Sequence, residues 1–238
     1  MWSQADLLSP IARALRDAEA SCRAEQAVRG LDALDETALH PLLADAWRAD
    51  GLGAAREQPY PGDAEQRRRR AHRQRCDLVL TPDAHRPLRD PTAFLIASDK
   101  LKGGLFEHLA EQPAGLHAAD TDPCWLPADA VWVEVKLAHQ HAYRDGVPQP
   151  NTAYSREVLE LPQADAVKLA LDPEIEHAAL LLLLFGEDEA VLRRDAMTAA
   201  GVWLDRDIPV NTPEFEHVSI DDRGGNAACV LMLTRLRL

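Results

Sequence analysis

Residues 131–140 read VWVEVKLAHQ. In an extended chain successive side chains alternate between faces. Val131, Val133, Val135 and Leu137 therefore line one face, and Trp132, Glu134 and Lys136 the other. The valine run predicts a strand, and one this apolar is covered. A covered Glu or Lys with no partner is costly, so the two need each other, a metal ion, or both. A structural ion pair is the simpler reading. On a solvated face such a pair contributes only about 0–1 kcal/mol. The flanking valines argue against a solvated face and for a site.

Upstream, RCDLVLTP (75–82) predicts a second strand, with Cys76, Leu78 and Leu80 on one face and Arg75, Asp77 and Val79 on the other. If the two strands are neighbours, Asp77, Glu134 and Lys136 meet. Paired carboxylates suit a hard dication such as Mg2+. Such an ion polarises a phosphoryl oxygen and acidifies a bound water, and a lysine beside it positions or activates that water. The plainer roles for Asp77 are a turn cap or a pair with Arg75.

The remaining chain alternates helices and strands. HAALLLLLFG (177–186) is a strand apolar enough to be covered on both faces. A helix is expected to start at Ser9-Pro10, a cap and first-turn pair. A second runs from an Asp35 cap to Gly51. AAREQPYPG (54–62) is extended. Helical material at 155–171 is broken near Pro162, another helix follows near 187–200, and two strands flank Gly224-Gly225 at the end. Residues 83–129, rich in Pro, Asp and His, contain one expected helix, KLKGGLFEHLAEQ (100–112). The fold expected is α/β, a mixed central sheet flanked by helices. A helical segment at 1–33 precedes a domain at 34–238 with an insertion at about 82–129.

Asp77 in RCDLVL, followed by VEVK on a strand, resembles the PD-(D/E)xK superfamily of restriction-endonuclease-like nucleases. REQPYPG and RCDLVL look like that family's first two core strands, and DAVKLALDPEIEHAALLLLLFG like its second helix and fourth strand. The match covers roughly 34–186 apart from the insertion, which is far longer than the family's usual turn. Cys76 stands where the family usually has Pro. The resemblance implies a metal-dependent nuclease, with DNA favoured over RNA. Asp77 and Glu134 would ligate Mg2+ (or Mn2+), Lys136 would act on the water, and Glu36, on the first core helix, would assist. Glu36 has a plainer role too, since the helix dipole favours a first-turn acid. Gln140 is a weaker candidate, after the Gln that follows this strand in some exonuclease-like branches. His40, one turn after Glu36, is read as structural, as are His139 and His141. Asp165 and Lys168 are read as a helix-surface pair, and Trp132 as core.

The 238-residue chain has a net charge of −13, which argues against a protein that coats nucleic acid. Against that background RRRRAHRQR (67–75) stands out. Arg67, Arg68, Arg69, Arg70, Arg73 and Arg75 are the expected phosphate contacts, or else a solvated loop pairing with nearby acids. Cys22, Cys76, Cys124 and Cys229 lack metal-ligand spacing and read as free thiols in a reducing cytoplasm. No apolar run suits a membrane span. The expected partner is nucleic acid, with a homodimer or a partner subunit as further options. The alternative to a nuclease is a catalytically silent scaffold of the same fold within a larger nucleic-acid-processing or defence complex.

Overall fold

The computed structural model describes residues 2–62, 74–89 and 124–238. The expected helix at 100–112 and Arg67, Arg68, Arg69, Arg70 and Arg73 lie outside the described residues. Six strands form one mixed sheet: β1 (Gly53–Pro59), β2 (Arg75–Thr81), β3 (Val131–His139), β6 (Ala178–Gly186), β7 (Glu214–Ser219) and β8 (Ala228–Arg235). Their spatial order is β1-β2-β3-β6-β8-β7. Within this sheet, among the described residues, β3 and β6 pair in parallel and every other neighbouring pair is antiparallel. A small ribbon of β4 (His141–Arg144) and β5 (Val147–Pro150) follows β3. Among the described residues no helix is long and apolar enough to cross a membrane.

Helices cover both faces. On one lie α1 (Gln4–Ala24) and α2 (Glu36–Ala49), whose Leu7, Ile11, Leu15, Leu39, Leu43 and Trp47 pack with Leu78, Val133, Val135 and Leu181. On the other lie α3 (Tyr154–Leu159), α4 (Leu161–Leu171) and α5 (Glu189–Asp205), packed with Trp132, Leu180, Leu182 and Met232. β6, central and buried at all 9 of its residues, separates the two layers. That double burial explains its unbroken Leu run.

Asp35 caps α2 by accepting from the Ala38 N–H at 2.7 Å, and Gly51, at φ 89°, ends it. The break at 160 between α3 and α4 falls two residues before Pro162, in the first turn of α4. α1 departs from expectation. Its cap is Ser3, in a reciprocal capping box with Asp6, and Pro10 lies inside the helix rather than at its start. An internal proline costs about 3 kcal/mol. Burying Leu7 and Leu8, both at most 1% exposed, contributes roughly 1.5–3 kcal/mol each and offsets that cost.

Candidate active site

The site is built where two strands part. β2 and β3 pair at Leu80↔Val131, Val79↔Trp132 and Leu78↔Val133, and the ladder stops there. β3 continues alongside β6 as far as His139. A gap therefore opens along β3 from Glu134 onward. Asp77 fills its start: Oδ2 accepts from the Val135 N–H at 2.8 Å, replacing a ladder bond with a side-chain bond. The same parting breaks the alternation of β2. Cys76 was expected to share a face with Leu78 and Leu80. It packs instead in the opposite layer with Val79 and Trp132.

Lys136 reaches into the gap and is surrounded by acids from four elements. Its Nζ lies 3.3 Å from Glu36 on α2, 3.7 Å from Asp77 on β2, 3.9 Å from Glu134 on β3 and 3.2 Å from Asp165 on α4. It also donates to the Val135 carbonyl at 2.8 Å. Lys168 holds the other oxygen of Asp165 at 2.5 Å. Tyr60 donates to Glu134 Oε1 and stacks on Trp132, with ring centroids 6.3 Å apart. Of the predicted residues, Asp77, Glu134, Lys136 and Glu36 are thus brought together. Arg75 begins β2, is exposed, and donates to the Glu57 carbonyl at 2.7 Å. Gln140 accepts from the Glu187 N–H, and among the described residues no hydrogen bond joins it to Lys136.

So many acids in a buried place cannot all stay charged. Burial, then the neighbouring carboxylates Asp77 and Asp165, push Glu134 up to about 9, with the Tyr60 hydroxyl opposing. These surroundings favour the protonated form of Glu134. Burial also raises Glu36, against the pull of Lys136. Burial alone would lower Lys136, but the carboxylates, Asp77 first and then Asp165 and Glu36, outweigh it and hold the amine above its ordinary value. The residues fit a divalent cation: oxygen donors converge, and the raised Glu134 marks negative charge that a dication would compensate.

Three contributors were not anticipated. Asp165 does pair with Lys168, but it is buried and faces Lys136 rather than solvent. Its signal was available: Pro162, Asp165, Ala166 and Leu169 form the buried stripe of α4, and an acid in such a stripe calls for a partner. His40 likewise sits in the buried stripe of α2, beside Leu39, Leu43 and Trp47. One of its ring nitrogens and one oxygen each of Glu36 and Asp77 lie within 4.8 Å of one another. Tyr60 carried no such signal, because its partner is 74 residues away. His139 stacks on Phe185, and burial lowers it to about 4.

No protein-family model matches the chain, and neither a curated protein nor a solved structure matches it.

Proposed function

We propose that this protein is a metal-dependent phosphodiesterase of the PD-(D/E)xK type that cuts nucleic acid, with DNA the favoured substrate. The observation that carries the reading is the convergence of Asp77, Glu134, Glu36 and Lys136 on one gap in the sheet. Asp77, Glu134 and Glu36 would hold Mg2+ or Mn2+. When bound, the ion would supply a Lewis acid for a phosphoryl oxygen and a more acidic water.

The chain's own groups have distinct tasks. Lys136, held in its ammonium form, is a poor general base and a good donor. Its role is to orient the attacking water and to stabilise charge gathering on the phosphoryl oxygens. Asp165 and Glu36 hold that ammonium in the gap from opposite faces of the sheet. Tyr60 holds one oxygen of Glu134 and leaves the other directed at Lys136. The test is cleavage of single-stranded, double-stranded and nicked DNA, and of RNA, with Mg2+ or Mn2+. The expected result is ion-dependent cutting that Asp77→Asn abolishes.

A catalytically silent subunit of the same fold is the second reading. The net charge of −13, unfavourable for approach to a polyanion, favours it. It predicts no cleavage with either ion.

A further inference from the structure

We infer that His40 is a ligand of the cation site through Nε2, and that Glu36, His40 and Asp77 make this site select a first-row transition-metal dication over Mg2+. The inference rests on the reading of the gap as a cation site and adds to it a nitrogen ligand and an ion class.

His40 lies on α2 one turn after Glu36, with a side chain only 4% exposed. Its Nε2 is buried and has no hydrogen-bond partner among the described residues. An unmet ring nitrogen in the interior is costly, and what separates His40 from His139, whose Nε2 is also unpartnered, is the pair of carboxylates, Glu36 and Asp77, grouped with its ring. Here one nitrogen has a carboxylate neighbour: Nδ1 stands 3.5 Å from Glu57 Oε1. A carboxylate on Nδ1 favours the tautomer that leaves the Nε2 lone pair free, the usual arrangement behind a metal-binding imidazole. Glu57 occupies the left-handed region at φ 53°, uncommon for a residue with a Cβ, and Arg75 binds its carbonyl. The chain thus keeps a strained residue in place beside His40.

Ring nitrogen and carboxylate oxygens within 4.8 Å of one another are close enough to share one ion. Asp77 is the common corner: it touches this group on one side and Glu134 and Lys136 on the other. Mg2+ prefers an all-oxygen shell, whereas imidazole suits the later first-row dications, whose affinity for nitrogen ligands rises along the series. Mn2+, at the low end of that series and tolerant of carboxylates as Mg2+ is, makes the stringent probe of a nitrogen-dependent preference, and its paramagnetism gives a direct readout.

The experiment uses the full chain loaded with Mn2+ and read by pulsed electron paramagnetic resonance. Directly bound imidazole gives a 14N hyperfine coupling, which is expected in the wild type and absent in His40→Gln. Competition titration should show the wild type preferring Mn2+ to Mg2+. His40→Gln should lower Mn2+ affinity by at least roughly tenfold and leave Mg2+ affinity nearly unchanged, and Glu57→Gln should weaken Mn2+ binding by about tenfold through the lost support of Nδ1. Bound Mn2+ without a 14N coupling in the wild type overturns the inference, with no need for a variant that folds. Equal loss of both ions in His40→Gln also overturns it, since that marks a structural histidine. Binding of Mg2+ but not Mn2+ overturns this inference alone, and failure of both ions to bind overturns the cation site as well. Cleavage without the nitrogen coupling defeats the inference and leaves the nuclease reading standing. The coupling without cleavage of any substrate does the reverse.

Discussion

Glu134 and Lys136 sit two residues apart on one strand, and their surroundings raise both titrations, Glu134 chiefly through burial and Lys136 through neighbouring carboxylates that outweigh burial. Glu134, ordinarily near 4.5, is pushed up to about 9, so the folded protein holds a proton there that the unfolded chain releases. Stability contributed by this group therefore falls as pH rises from the unfolded to the folded value, and levels off above it. The predicted result is an apo stability that declines between about pH 5 and pH 9 by an amount on the order of a few kcal/mol, read as a falling melting temperature. Glu134→Gln mimics the neutral acid, so it should melt like the wild type near pH 5 and above it near pH 9. A variant that melts far below the wild type at every pH would indicate a structural Glu134–Lys136 pair, whose rupture costs about 3–5 kcal/mol. Excess divalent cation should raise the wild-type melting temperature and flatten its pH dependence, because the ion displaces the proton.

At the scale of elements, the parting of β2 from β3 after Leu78↔Val133 creates the site. Asp77 closes the unpaired edge of β3 by accepting the buried Val135 N–H. Asp77→Ala should therefore lower stability by about 1–3 kcal/mol, the cost of an orphaned buried donor. Asp77→Asn keeps an acceptor and should retain most of that stability while losing the cation, measured by paired thermal melts and metal titration. Period-two alternation made β3 legible in the sequence, and the continuous Leu run did the same for β6. Alternation could not reveal that β2 leaves its partner at Asp77, because the parting depends on long-range pairing. For the same reason Cys76 was assigned to the wrong face. The start of α1 was misplaced because Ser9-Pro10 is a strong local signal. The Ser3–Asp6 capping box and the buried Leu7 and Leu8 outweigh it in the folded chain. Asp165 was assigned to the surface because Lys168, three residues on, offered a sufficient local partner. The position of Lys136 becomes apparent only when α4 packs on the sheet.

At the scale of the whole molecule, the proposed function requires an acidic chain to approach a polyanion, and the arginine-rich stretch 67–75 is the part of the sequence expected to meet it. Replacing Arg67, Arg68, Arg69 and Arg70 with Ala should weaken binding to all sequences alike. The salt dependence should flatten by roughly one slope unit per lost phosphate contact. Melting should move by no more than the ~0.5 kcal/mol typical of surface changes. Unchanged affinity, or a collapse in stability, would assign the stretch a structural role instead. On the proposed function, the gap between β2 and β3 cuts phosphodiesters with Lys136 acting on the water rather than holding the ion. The most direct measurement is cleavage and Mn2+ binding side by side for the wild type and Lys136→Ala. The account predicts ion-dependent cleavage by the wild type, and a variant that binds Mn2+ as well or more tightly yet cuts nothing. A wild type that cuts no nucleic acid with Mg2+ or Mn2+, or a Lys136→Ala variant that cuts as fast as the wild type, would contradict it.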